Sequence, residues 1–240
     1  MKKILRDYRD FRRNREFRDV PKWHREIMEK VLPFTMAGPE RTLATICAVE
    51  YVVRNSVPGA VVECGVWQGG QMMAAALTLL QLGESREIIL FDTFSGMTAP
   101  TPADRDLDGA DARPVFEQLS KKEVGDRWCE AGIEEVHRNL ASTGYPMEFV
   151  RLVQGPVEET LPDHAPAQIS CLRLDTDWYE STLHELEHLY PRVASLGVVI
   201  VDDYGHWQGA RQATDEYLAT NGIPALMHRI DYTGRQFVKR

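Results

Sequence analysis

The sequence predicts a doubly wound α/β sheet, mostly parallel, with an antiparallel strand at its carboxy-terminal edge. Three observations carry that reading. Apolar, β-branched runs of strand length recur along the chain and stop at carboxylates, as in Ser170-Cys-Leu-Arg-Leu-Asp175 and Gly197-Val-Val-Ile-Val-Asp202-Asp203. A helical pattern follows each of these runs, the signature of β-α units that build a parallel sheet. The last strand signals instead form a hairpin, which adds antiparallel strands.

In chain order, residues 1–36 are charge-dense, Arg and Lys outnumber acids, and Ile4, Leu5, Tyr8, Phe11 and Phe17 recur at loose helical spacing. This is read as a basic helical extension that packs on its own domain or on a sister subunit. Glu40 to Asn55 follows as a helix with Pro39 at its start. Ala60 to Cys64 is a buried strand, and a glycine turn leads into a helix reaching about Leu82. Ile88 to Asp92 is a second strand ending in an acid. Between Thr93 and Asp126 the pattern dissolves into Gly, Pro and Asp, too long for a structureless loop and so read as a lid insertion near 97–126 with short helical pieces. A helix at Arg127–Thr143, a strand at Glu148–Val153 and a short helix at Val157–Thr160 come next. The two acid-tipped strands are followed by helices at about Tyr179–Ser195 and Gln208–Thr220. Ala225–Ile230 and Arg235–Lys239 close the chain as a hairpin.

Composition narrows the classes. The chain has 240 residues, an apolar fraction of 43% and a net charge of −8, which suits one core-forming domain and argues against a nucleic-acid binder. Its cysteines (Cys47, Cys64, Cys129, Cys171) are widely spaced with no CxxC pair, as expected of a reduced, cytoplasmic protein. No apolar run is long enough to span a bilayer, and Met1-Lys-Lys does not open a signal peptide.

The chemistry is expected at the strand tips. In a parallel α/β sheet, ligands bind beyond the carboxyl ends of the strands. Neighbouring strands would therefore gather Asp175, Asp177, Asp202 and Asp203 in one crevice. Crowded carboxylates repel unless a cation or a shared proton sits among them. Hard oxygen donors without sulfur favour Mg²⁺, Mn²⁺ or Ca²⁺. The alternative is that these acids only cap helices. A further motif, Glu63-x-Gly65-x-x-x-Gly69, lets backbone approach a nucleoside or amino-acid moiety, and lacks the spacing of the dinucleotide fingerprint. Asp92 ends the second strand where a carboxylate can accept ribose hydroxyls. His184-Glu-Leu-Glu-His188 matches the zinc-peptidase pattern HExxH, but it lies midway along a crossover helix, away from the expected crevice.

Four motifs carry a resemblance: Glu63-Cys-Gly-Val-Trp-Gln-Gly-Gly70, Phe91-Asp-Thr-Phe-Ser-Gly96, Leu174-Asp-Thr-Asp-Trp-Tyr179 and Val201-Asp-Asp-Tyr-Gly-His-Trp-Gln-Gly-Ala210. Together, over residues 36–240, they resemble the macrocin O-methyltransferase (TylF/MycF) family of S-adenosylmethionine- and Mg²⁺-dependent enzymes that methylate sugar hydroxyls of natural products. The resemblance implies a Rossmann-like, seven-stranded methyltransferase sheet, with residues 37–240 as a class I methyltransferase domain. It implies that Glu63, Gly65 and Gly69 line the methionine and ribose part of the cofactor. Asp92 would hold the ribose with Ser95 nearby, and Gln154 and Gly155 would border the adenine. Asp175, Asp202 and Asp203 would hold the metal, and Asp177 would be the catalytic base, with His206 as the second candidate. The implied partner is a small-molecule glycoside, with no nucleic acid and no membrane, and the expected assembly is a homo-oligomer, dimer or higher. Three alternatives remain open: a catechol, other phenol or non-sugar alcohol as acceptor; a nicotinamide oxidoreductase; and a binding module without activity. The glycine spacing disfavours the oxidoreductase, and the intact acid set disfavours the binding module.

Overall fold

The computed structural model describes residues 17–123 and 127–240. Of the amino-terminal apolar set, Ile4, Leu5, Tyr8 and Phe11 lie outside the described residues, while Phe17 is buried. Helix α1 (Lys22–Val31) buries His24, Ile27, Met28 and Val31; the last three join one apolar core with α2 (Pro39–Arg54) and α3 (Gly70–Leu82), while His24 bonds Glu50 of α2.

The sheet has seven strands: β1 (Ala60–Cys64), β2 (Ile88–Asp92), β3 (Val150–Gln154), β4 (Ile169–Leu174), β5 (Val193–Val201), β6 (His228–Arg229) and β7 (Arg235–Val238). Their order is β3-β2-β1-β4-β5-β7-β6. The first five pair in parallel; β7 runs antiparallel to β5 and β6 antiparallel to β7. The predicted mostly parallel sheet with an antiparallel carboxy-terminal edge is therefore present.

Central strands with helices on both faces must be apolar on both sides. Val61, Ile88, Leu90, Cys171, Val198 and Ile200 face α1, α2, α3 and α5 (Ile133–Ala141). Val62, Ile89, Phe91, Leu172, Val199 and Val201 face the opposite core, with α7 (Tyr179–Leu189) and α8 (Gln208–Thr220). The short α6 (Val157–Thr160) joins the latter side through Val157. The strand order reverses between β1 and β4, and a crevice opens at such a switch point.

Several boundaries differ from expectation. The helix expected to reach Ser195 stops at Leu189; a 3₁₀ turn at Tyr190–Arg192 intervenes and β5 begins at Val193. Pro191 has no amide to continue the helix, and Val193 pairs with Ile169 of β4. The helix expected at Arg127–Thr143 starts only at Ile133, after Gly132 in extended conformation. The strand expected from Glu148 opens as a 3₁₀ turn at Met147–Phe149, and the closing hairpin is shorter than expected on both arms. The 93–126 connection contains α4 (Arg113–Ser120), which buries none of its residues, and is otherwise irregular where described. Among the described residues no helix is long and apolar enough to cross a membrane.

Candidate active site

The site is assembled by backbone first. At the end of β1, Gly65 takes φ +78°, and a Cβ there would lie 2.0 Å from the carbonyl oxygen of Asp175. The turns after β1 and β4 therefore touch backbone to backbone. Gly65→Ala is expected to be destabilised by well over the ~1 kcal/mol of an ordinary glycine effect, because strain adds to the clash. A thermal melt of the variant beside the parent checks this. Gly69 also has positive φ, but its Cβ would meet Leu140 of α5 at 2.9 Å, and it is not among the cavity-lining residues.

Asp92, at the tip of β2, fixes the glycine turn. Oδ2 accepts the amides of Val66 (2.6 Å) and Trp67 (3.2 Å), and Oδ1 accepts the amide of Phe94 (2.7 Å). Burial raises its pKa, and these amides oppose the shift.

The acids converge as the sequence suggested, although the details differ. Carboxylate oxygens of Asp175, Asp177 and Asp203 lie within 4.8 Å of one another. Asp177 holds φ +70°, a left-handed conformation that Asp tolerates better than most residues, and this turns the chain sharply after β4. Asp202 is engaged elsewhere: Arg173 donates to its Oδ1 and Arg41 to its Oδ2. The expected metal set of Asp175, Asp202 and Asp203 thus differs by one member from the trio that the geometry gathers.

Arg173 is the hub of this charge arrangement. It is 1% exposed, sits one residue before the carboxyl end of β4, and stands in register with Glu63 of β1. Its Nη1 donates to Glu63 Oε1 (2.6 Å) and to Asp175 Oδ2 (2.5 Å). Arg41 reaches in from α2 and pairs also with Asp231 at 3.1 Å. Burial pushes Glu63 up to about 8 against the opposing charge of Arg173. Burial also raises Asp175, against Arg173 and with Asp202 and Asp203. It raises Asp203, reinforced by Asp177 and Asp202, and lifts Asp177 to about 7. Asp202 alone in the group is lowered: burial pushes it up, but Arg173 and Arg41 outweigh that.

The cavity above these groups measures about 290 Å³. Glu63, Gly65, Asp92, Asp175, Asp177, Asp202, Asp203 and His206 all line it. A smaller compartment of about 60 Å³ shares Gly65, Asp92 and Asp175 and continues to Gly155, whose amide bonds the Asp92 carbonyl (2.9 Å). Ser95 and Gln154 are exposed and line neither space. His206 packs edge-on to Trp207 with ring centroids 4.8 Å apart. Trp128, Trp178 and Trp207 form a cluster with centroids 5.0–6.1 Å apart, and Trp128 and Trp207 also line the cavity. The HExxH histidines His184 and His188 meet edge-on on α7 with ring centroids 4.3 Å apart; both are half-buried, while Leu186 and Leu189 of the same helix are buried.

Sequence reasoning missed Arg173 and Arg41. A signal existed for the first: Glu63 and Arg173 are the lone charged residues within otherwise apolar strands, and such charges are buried only as partners.

A glycine turn and an acid cluster at the switch point of a seven-stranded sheet with antiparallel final strands define a Rossmann-like methyltransferase. Solved structures agree. The O-methyltransferase NovP superposes with a TM-score of 0.75 at 32% identity, covering 86% of this chain and 82% of NovP. The calicheamicin methyltransferase CalS11 shares the fold with a TM-score of 0.66 at 18% identity, over 99% of this chain and 91% of that one. The family model described as macrocin-O-methyltransferase (TylF) matches residues 6–239. The chain belongs to that family, whose members are S-adenosylmethionine-dependent, and is an O-methyltransferase. Among curated relatives, the 8-demethyl-8-(2,3-dimethoxy-alpha-L-rhamnosyl)-tetracenomycin-C 4'-O-methyltransferase of Streptomyces olivaceus is 33% identical over 83% of this chain and 73% of its own length. The demethyldecarbamoylnovobiocin O-methyltransferase of Streptomyces niveus is 34% identical, with the same coverage of 83% and 73%. The mycinamicin III 3''-O-methyltransferase of Micromonospora griseorubida is 32% identical over 83% of this chain and 76% of its own.

Proposed function

We propose that this enzyme transfers the methyl group of S-adenosylmethionine to a sugar hydroxyl of a glycosylated natural product, with Mg²⁺ held by the acids at the switch point. The observation that carries the reading is the convergence of Asp175, Asp177 and Asp203 beside the Gly65 turn in one cavity. The printed activities of the curated relatives support the acceptor class.

The residues suit a hard divalent cation. The donors are all carboxylate oxygens, and Oδ2 of Asp203 is buried without a hydrogen-bond partner among the described residues. Asp175 and Asp203 would hold the cation, with Asp202 as the third ligand by resemblance. When bound, it would stabilise the alkoxide character that develops on the attacking hydroxyl.

The remaining work falls to side chains of the chain itself. Asp177, in the same cluster but carried on its own turn, accepts the hydroxyl proton as oxygen attacks the methyl carbon. His206, which lines the same cavity and packs against Trp207, is the second candidate for that proton. Glu63, Gly65 and Asp92 line the cofactor side, and Gly155 borders the smaller compartment assigned to adenine. Gly69, Ser95 and Gln154 remain cofactor-side candidates by resemblance, although they line neither of the two spaces.

The test is calorimetry with S-adenosylmethionine, with Mg²⁺ and with EDTA, followed by turnover on a panel of glycosides, catechols and simple phenols. Cofactor binding with glycoside methylation that EDTA abolishes and Mg²⁺ restores is expected. Failure to bind the cofactor defeats the reading, EDTA-insensitive turnover removes the metal role, and methylation confined to catechols or phenols replaces the acceptor class.

A further inference from the structure

Asp104 is a fully buried carboxylate that takes no part in the proposed transfer. Its Oδ2 accepts the amide (2.7 Å) and the hydroxyl (2.8 Å) of Thr101, within its own irregular segment. Its Oδ1 accepts the amide of Tyr179 (2.8 Å), the first residue of α7. A single acid thus ties the connection after β2 to a helix some seventy-five residues later.

Two other clasps land in the same place. Gln208, the first residue of α8, donates its amide to the carbonyl of Arg105 (2.8 Å) and its side chain to that of Asp106 (2.9 Å). Gly209 comes so close that a Cβ there would lie 2.3 Å from Asp104 Oδ1. Trp178 donates its indole N–H to the carbonyl of Thr98 (3.0 Å). Every clasp therefore falls at the amino end of α7 or α8, directly after Asp177 and shortly after Asp203 and His206. A carboxylate there also complements the positive ends of both helix dipoles.

We propose that Asp104 is a positioning residue: it latches residues 98–112 as a lid onto the amino ends of α7 and α8, and so sets Asp177 and His206 toward the reacting hydroxyl. The inference rests on reading Asp177 as the base. Asp104 contacts neither reactant and acts through the turns it holds. The position requires a carboxylate, because both of its oxygens accept. In Asn, the amide nitrogen would face the Thr101 amide, donor against donor.

Asp104→Asn therefore removes the latch while keeping the shape. On the full-length chain we would measure kcat and KM for the acceptor, affinity for S-adenosylhomocysteine by calorimetry, and trypsin cleavage after Arg105, within the latched segment. The expected result is a fall in kcat of about tenfold to a hundredfold per titrated cofactor site, in line with misplacement of reacting groups. Cofactor affinity should stay within about twofold and cleavage in the segment should quicken several-fold. A variant with parental kcat and parental cleavage overturns the proposal. So does a loss of kcat that vanishes after normalisation to cofactor sites, since that marks a merely structural role. Should Asp104→Asn fail to fold, Thr101→Ala removes one donor only and is expected to give the same pattern more weakly; parental behaviour there refutes the latch. If the parent enzyme methylates no acceptor, the base assignment falls, and the cleavage comparison alone still decides the latch.

Discussion

Asp177→Asn is expected to lower turnover by about 10²–10⁴-fold, the contribution of a positioned general base. Affinity for S-adenosylhomocysteine should be unchanged, because Asp177 does not line the smaller compartment shared by Gly65, Asp92 and Gly155. The carboxamide preserves size and cannot take the hydroxyl proton. Single-turnover kinetics with saturating cofactor and Mg²⁺ would separate lost chemistry from lost binding. A variant that keeps more than about a third of parental turnover would pass the base role to His206, and His206→Gln would then show the larger loss.

The second large effect is on stability. Removing Arg173 leaves Glu63 and Asp175 without their guanidinium partner and Asp202 with Arg41 alone, and of these acids Glu63 and Asp202 are almost fully buried. Breaking a buried pair by deleting one member costs about 3–5 kcal/mol. Arg173→Met is expected to fall in that range by urea unfolding at neutral pH. The double variant with Glu63→Gln should recover part of the loss, because one stranded charge is then gone. A cost below about 1 kcal/mol would mean that the acids share protons among themselves and do not depend on the arginine.

The fold was legible where one physical cause dominates. Val61-Val62 and Val198-Val199-Ile200 read as strands because both faces of the sheet must be apolar, and the acids after them mark the end of burial. Helix α8 was placed to the residue, Gln208–Thr220, since its buried positions keep a clean helical period. The end of α7 was not legible, because Ala194 and Ser195 extend a helical pattern that Pro191 and pairing with β4 override. In the site, the acids were readable from their positions at strand tips. Their division of labour was not, because Asp202 differs from Asp203 only in facing Arg41 and Arg173. Those contacts depend on strand register and on a helix far away in sequence, neither of which local pattern encodes. Ser95 and Gln154 were carried by resemblance alone, and their exposure reflects turn geometry that a motif does not specify.

Arg41 meets carboxylates that lie 161 and 190 residues further along the chain. During synthesis, α2 leaves the ribosome long before Asp202 exists and longer still before Asp231. Until then its cation has no acid to neutralise, and β4 exposes Arg173 beside an unmatched set of anions. Electrical balance in the pocket is thus among the last things a nascent chain acquires, because contacts this distant in sequence close only after the intervening chain has been ordered. Folding and catalytic competence are for that reason expected to arrive together, with no early half of the chain able to pre-form the pocket.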